Sequence, residues 1–151
     1  VPFCVSGGTS LAEGRGERLT DLPPLPVCQI VLCKPDFGIS TPELFMLADG
    51  AVLSKRPDIA GLTAALQGGE LTGVTDRLCN VFEEFLPERY REVFRIKEIL
   101  LAHGALNAAM SGSGPTVYGI FESAAEAQRA AEVLKKSYQQ TYVAKPVKKL
   151  V

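Results

Sequence analysis

Two segments of this chain hold the residue types that could do chemistry. Met110-Ser111-Gly112-Ser113-Gly114-Pro115-Thr116 joins glycines, whose missing Cβ lets backbone N–H groups approach an oxyanion, to two serine hydroxyl donors. That composition suits a loop lying beside a phosphate. It equally suits a plain turn, where glycine supplies positive φ and proline supplies rigidity. The loop is neither a Walker A loop, since no Gly-Lys-Ser/Thr follows, nor a dinucleotide fingerprint, since a strand rather than a helix comes next. The second segment, Thr41-Pro42-Glu43-Leu44-Phe45, reads as a helix start. Its first N–H groups would favour an anion, and Phe45, one turn in, would offer a face to a flat base. The alternative there is simple capping with a core phenylalanine.

Other reactive residue types are placed for structural work. His103 falls at the end of an expected helix, where an imidazolium is favoured by the helix dipole and no reacting partner is evident. Glu83, Glu84 and Glu88 sit among helical charges and read as a solvated face. Cys4, Cys28, Cys33 and Cys79 form no C-x-x-C pair and have no histidine at metal-ligand spacing. They are expected to be reduced, mostly buried thiols, with no metal site, in a cytoplasmic protein. From the residues alone no complete catalytic constellation emerges.

Several elements must position these segments. Val1–Val5 and Leu11–Leu19 are β-like runs punctuated by Gly7-Gly8 and Gly14-Arg15-Gly16. They are expected to belong to a sheet completed by strands outside this chain. Asp21-Leu22-Pro23-Pro24-Leu25-Pro26 is a stiff connector, because each proline fixes its own φ and pushes its predecessor out of the helical region. A domain boundary is placed there, dividing residues 1–22 from 23–151.

Beyond it, Val27–Cys33 reads as a buried strand, and Ser40-Thr41-Pro42-Glu43 opens a short helix running to about Ala48. Further helices are predicted at Pro57–Gln67, at Thr72–Phe85, and from Pro87 to just before Gly104, a good residue to follow a helix end. In the last of these Tyr90, Val93, Phe94, Leu100 and Leu101 form the expected apolar stripe. Ala105–Met110 and Thr116–Phe121 flank the glycine loop as an antiparallel hairpin. Ser123 and Glu126 stand at capping-box spacing, and Ala127, Ala130, Ala131, Leu134 and Tyr138 recur with helical period. A final strand is expected at Thr141–Val147, followed by basic Lys148-Lys149. From Val27 onward the order is that of an α+β, ferredoxin-like βαββαβ sandwich with extra helices after its first strand.

Composition limits the function classes. The chain has 151 residues, 46% of them apolar, and 16 basic against 17 acidic side chains, so it is long enough for a core and carries no field that would attract a polyanion. Nucleic acid is therefore not an expected partner. Ile99–Phe121 lacks Asp, Glu, Lys and Arg, but His103, Gly104, Asn107, Ser111 and Pro115 interrupt it. Turn formers and polar groups of this kind would be penalised in hydrocarbon, so no membrane span is expected. Val1 opens directly into an apolar run without an initiator Met, and the chain reads as a piece of a longer protein.

Taken together and in order, Val1-Pro2-Phe3, Gly7-Gly8-Thr9, Ala12-Glu13-Gly14-Arg15-Gly16-Glu17, Ile39 through Phe45, Asn80-Val81-Phe82-Glu83 and Met110 through Thr116 resemble the C-terminal half of the GHMP kinases. Gly112-Ser113-Gly114-Pro115 is common to that superfamily. Ala12 to Glu17 and the Thr-Pro-x-x-Phe helix start resemble the branch acting on a cytidyl substrate in the non-mevalonate isoprenoid pathway.

The resemblance implies a small-molecule kinase that moves the γ-phosphoryl of ATP, with Mg²⁺, to a hydroxyl of 4-diphosphocytidyl-2-C-methyl-D-erythritol. In that reaction class the protein positions donor and acceptor in line and neutralises developing charge. The family's catalytic aspartate would fall immediately before Val1, and its lysine and ATP loop would belong to an N-terminal kinase domain. On this reading the chain carries no catalytic residue and is inactive alone. The resemblance further implies that Thr41, Pro42 and Phe45 border the cytidyl pocket, with Phe45 stacking on cytosine. It places Gly112, Ser113, Gly114, Pro115 and Thr116 beside the phosphates. The competing readings are a free-standing ferredoxin-like domain that binds a small molecule or partner, and another GHMP enzyme such as homoserine or mevalonate kinase.

Overall fold

Two sheets carry the architecture of the computed structural model, which describes Cys4 and residues 7–147. In the first, β1 (Thr9–Glu13) and β2 (Arg18–Leu22) form an antiparallel hairpin with Leu11 opposite Thr20. Leu11–Leu19 is therefore not one run: the chain reverses at Gly14 and Gly16, both at positive φ, and the strand resumes at Arg18. The strand expected at Val1–Val5 lies outside the described residues except for Cys4, as does the Lys148-Lys149 tail.

The second sheet contains β3 (Gln29–Lys34), β4 (Asn107–Met110), β5 (Val117–Phe121) and β6 (Gln140–Ala144) in the order β4-β5-β3-β6, with every neighbouring pair antiparallel. Strands at the centre are short apolar runs, and alternate side chains point to opposite faces. Val31, Cys33, Ala108, Met110, Val117 and Phe121 share one buried face. That face is covered by α4 (Glu92–Ala102) and α5 (Ala124–Lys135). The expected βαββαβ order and antiparallel hairpin are both present. The last strand ends at Ala144 rather than Val147, three residues earlier, where Lys145 and Pro146 follow; proline cannot donate to a ladder.

Helix α5 forms as the spacing predicts. Ser123 caps it by accepting from Glu126 N at 3.3 Å, and Ala127, Ala130, Ala131 and Leu134 are all buried. Alanine at three contact positions lets the helix approach the sheet closely. Helix α4 buries Val93, Ile96 and Leu100, spaced i, i+3 and i+7. Phe94 and Leu101, expected on the stripe, are 37% and 45% exposed, and Ile96, outside the expected stripe, is fully buried. The helical period chooses among neighbouring apolar residues that composition cannot separate.

The segment inserted after β3 holds α1 (Thr41–Asp49), α2 (Ile59–Gly68) and α3 (Leu71–Thr75). Asp58 caps α2 through Gly61 N. Leu62, Ala65, Leu66 and Val74 make a second small core that also receives Leu22 and Leu25 from the hairpin and the proline connector. The single helix expected over Thr72–Phe85 is absent. In its place α3 stops at Thr75, Asn80 is extended (φ −124°, ψ 111°), and 3₁₀ turns follow at Val81–Phe85 and Glu88–Tyr90. Asn80 caps the first of these turns through Phe82 N at 3.0 Å. An asparagine that accepts from the backbone two residues on favours a break over a continuous helix.

Of the four thiols, Cys28 and Cys33 are buried, and burial pushes both of them up from the ordinary thiol range. Cys4 and Cys79 are exposed, so the expectation of mostly buried thiols fails for half of them. Among the described residues no helix is long and apolar enough to cross a membrane.

Candidate functional site

The glycine loop closes the β4–β5 hairpin. Its last ladder pair is Met110 with Val117, after which Ser111 N donates to Thr116 O at 2.8 Å and Gly114 N to Ser111 O at 2.9 Å. Gly114 has φ +78°, and a Cβ there would lie 2.4 Å from Met110 Sδ and 3.2 Å from Ile39 Cδ1. Only glycine fits both the backbone and the space. Gly112, at φ +56°, has nothing within 4 Å of where a Cβ would be. The loop is thus tight on its inner side at Gly114 and open at Gly112. Pro115, joined to Gly114 by a cis peptide, is buried, and Ser113 and Thr116 are half-buried.

Helix α1 supplies the second wall. Ser40 accepts from Glu43 N at 3.4 Å and Pro42 occupies the first turn. These features set the entry of the chain and leave Thr41 at the mouth of the helix. Thr41 Oγ1 and Ser113 Oγ are hydrogen-bonded at 2.7 Å, so the two segments picked out from the sequence meet. Leu44 turns inward and is fully buried, whereas Phe45 is 54% exposed. Phe45 is therefore not a core residue. Its ring meets Phe82 edge to face, with centroids 5.1 Å apart and planes at 84°.

Residues given no site role from sequence hold the two walls together. Asn80 Nδ2 donates to Met110 O at 2.7 Å and to Gly112 O at 2.8 Å. Glu83 Oε1 accepts from Met110 N at 2.7 Å, and its other oxygen is paired with Lys97. Glu43, in the first turn of α1, is paired with Arg89, which lies over the Tyr90 ring, and Tyr90 stacks on Phe37. A cavity of about 390 Å³ lies beside the loop, lined by Cys79, Asn80, Phe82, Met110, Gly112 and Tyr118 among others. Burial, with a smaller contribution from the nearby Glu83 charge, raises the Tyr118 phenol above its ordinary range.

The acidic residues read as a solvated face divide three ways. Glu88 is surface-exposed in an ion pair with Arg91. Glu84 accepts from Ser54 N at 2.9 Å and Lys55 N at 3.1 Å, and the Ser54 bond holds its carboxyl below the usual range. Glu83 is a loop anchor. The signal that marks this region in the sequence is Asn80, a capping residue inside a nominal helix. His103 follows expectation: its Nδ1 lies 2.8 Å from Ile99 O, at the end of α4. Among the described residues no group of three or more His, Cys, Asp or Glu converges to hold a metal ion.

An antiparallel four-stranded sheet with two covering helices, a glycine loop closing the β4–β5 hairpin and a threonine-led helix against that loop define an α+β, ferredoxin-like sandwich domain. The family model described as "GHMP kinases C terminal" matches residues 60–140, and the chain belongs to that family. Curated relatives named 4-diphosphocytidyl-2-C-methyl-D-erythritol kinase include those of Enterococcus faecalis, 42% identical over 98% of this chain, and Moorella thermoacetica, 43% identical over 95%. The chain spans about half the length of these relatives, 52% and 51% respectively. A solved structure titled 4-(cytidine 5'-diphospho)-2C-methyl-D-erythritol kinase superposes with a TM-score of 0.76 at 26% identity, covering 96% of this chain and 52% of that one. A homoserine kinase from Cytophaga hutchinsonii shares the fold, with a TM-score of 0.69 at 20% identity over 97% of this chain and 50% of its own.

Proposed function

We propose that this chain is the C-terminal part of an ATP-dependent kinase that phosphorylates a hydroxyl of 4-diphosphocytidyl-2-C-methyl-D-erythritol in isoprenoid biosynthesis. Residues 1–22 belong on this reading to the N-terminal kinase domain, which is the partner of residues 23–151 and supplies the aspartate, lysine and ATP loop. The proline connector supports a boundary near residue 22, and the enzyme is assigned to the cytoplasm.

The observation that carries the reading is the meeting of Thr41 with Ser113 beside an exposed Phe45. It sets a ring suited to a cytosine next to a loop suited to phosphates. Phe45 would stack on the base, Thr41 and Pro42 would border it, and Gly112 to Thr116 would lie against the phosphates, with Gly112 allowing close approach. These groups bind and orient. ATP supplies the phosphoryl group that is transferred. Mg²⁺ would come with the ATP phosphates.

The full-length protein tests this. It is expected to turn over ATP only when the cytidyl substrate is present, and the isolated 151-residue chain is expected to be inactive. Turnover of homoserine or mevalonate in place of the cytidyl compound would overturn the substrate assignment.

A further inference from the structure

We propose that Asn80 is a positioning residue whose side chain aims the Ser113 N–H at the diphosphate of the cytidyl substrate. The inference rests on the function proposed above and adds to it a residue outside both the glycine loop and the base-binding helix.

Its basis is the complete use of one amide. Asn80 Nδ2 donates to Met110 O and Gly112 O, and Oδ1 accepts from Phe82 N. Rotating the amide by 180° would face oxygen to two carbonyls and NH₂ to an N–H, so the bonding pattern fixes its orientation. The side chain thereby ties the loop to Phe82, and Phe82 contacts the Phe45 ring at 5.1 Å. Loop and aromatic shelf are held in one frame. Glu83, three residues on, anchors the same hairpin by accepting from Met110 N.

Geometry carries the anchor through to the site. In a trans peptide the C=O and N–H point in opposite directions. Among the described residues the cis bond is Gly114-Pro115, so the Gly112-Ser113 peptide is trans. With Gly112 O held at 2.8 Å by Asn80, the Ser113 N–H points away from Asn80. The loop's two internal bonds use Ser111 N and Gly114 N as donors, not Ser113 N. Ser113 is itself held beside the first turn of α1 through Thr41. Gly112, exposed and with open space at its Cβ position, leaves room for an anion. A backbone donor prealigned in this way loses no freedom when a phosphate oxygen arrives.

The test is binding of two probes, cytidine 5'-diphosphate and cytidine, to the full-length protein and to its Asn80→Asp variant. Aspartate keeps the acceptor for Phe82 N but sets a carboxylate against two carbonyls, releasing the Gly112-Ser113 peptide. Cytidine diphosphate affinity is expected to fall by about 10- to 100-fold, the size of a charged hydrogen bond, and cytidine affinity by less than about twofold. Equal losses for both probes, or none for either, overturn the positioning role while leaving the function proposal standing. A wild-type protein that binds neither probe overturns the function proposal itself. A second measurement needs no variant: the Ser113 amide proton is expected to move downfield on adding cytidine diphosphate and to stay in place with cytidine. A Ser113 amide unmoved by the diphosphate overturns the inference even if Asn80→Asp does not fold.

Discussion

Thr41 Oγ1 and Ser113 Oγ, 72 positions apart in the chain, lie 2.7 Å from one another. Each sits at the end of a different element, Thr41 at the start of α1 and Ser113 in the loop of the β4–β5 hairpin. The bond joins the inserted helices to the sheet at the point where, on the proposed function, the base and the phosphates of the substrate would have to be held in register. Phe82 and Asn80 make a second link between the same two walls, one by ring contact and the other by three hydrogen bonds. Two independent tethers give the edge a fixed width, as the proposed ligand, with a base at one end and phosphates at the other, would require.

Phe45→Ala in the full-length enzyme is expected to weaken cytidyl-substrate binding by about 1–3 kcal/mol, the worth of one base stacked on an aromatic ring. The KM for ATP is expected to hold steady, because Phe45 lies on the helix wall. Steady-state kinetics with each substrate varied in turn gives the answer, and an unchanged substrate KM removes Phe45 from the pocket.

Gly114→Ala is expected to destabilise the domain. The left-handed backbone and a Cβ forced to 2.4 Å from Met110 Sδ together cost about 2–4 kcal/mol. Thermal unfolding is expected to show a melting temperature lower by roughly 5–15 °C for a chain of this size. A fall under about 2 °C would mean that the loop can relax around a side chain.

Leu100→Ala and Leu101→Ala form a matched pair on α4. Leu100 is fully buried and touches the Gly119 side of the sheet, whereas Leu101 is 45% exposed. Urea titration is expected to give a loss of about 2–5 kcal/mol for the first and under about 1 kcal/mol for the second. Equal losses would contradict the burial of α4 described here.

Tyr138 gives a pH-dependent contribution. Its partly buried hydroxyl donates to Glu92 Oε2, and burial first, then the Glu92 bond, pushes the phenol from 10.0 up to about 12. A raised pKa favours the protonated, folded form, so this stability is fully present below pH 10 and is lost as pH rises from about 10 to 12. With solvent screening at the partly buried hydroxyl, the shift corresponds to about 1–2 kcal/mol. Chemical denaturation of wild type and Tyr138→Phe at pH 8 and pH 11.5 is expected to show a gap that narrows at the higher pH. A constant gap would assign the effect to packing alone.

Periodicity and turn chemistry were enough to read most of the sheet and both of its covering helices. The alanine repeat of α5, the Ser123 cap and the glycine-centred hairpin are local signals, and each produced the element expected of it. Local signals failed where distant partners decide. Thr72–Phe85 has a helical composition, but α3 ends at Thr75, and Asn80 both caps the following turn and bonds to Met110 and Gly112 some thirty residues later. Glu83 looks like any surface acid until β4 presents the Met110 N–H to it.

The amino-acid sequence by itself therefore determined the order of strands and helices, the glycine loop and the threonine-led helix, because caps, turns and apolar periods act within a few residues of themselves. Tertiary structure alone decided that Thr41 faces Ser113, that Phe45 is exposed while Leu44 is buried, and that Asn80 grips the loop. Such contacts depend on how whole elements pack, and packing sums over residues far apart in the chain, so no local window contains them.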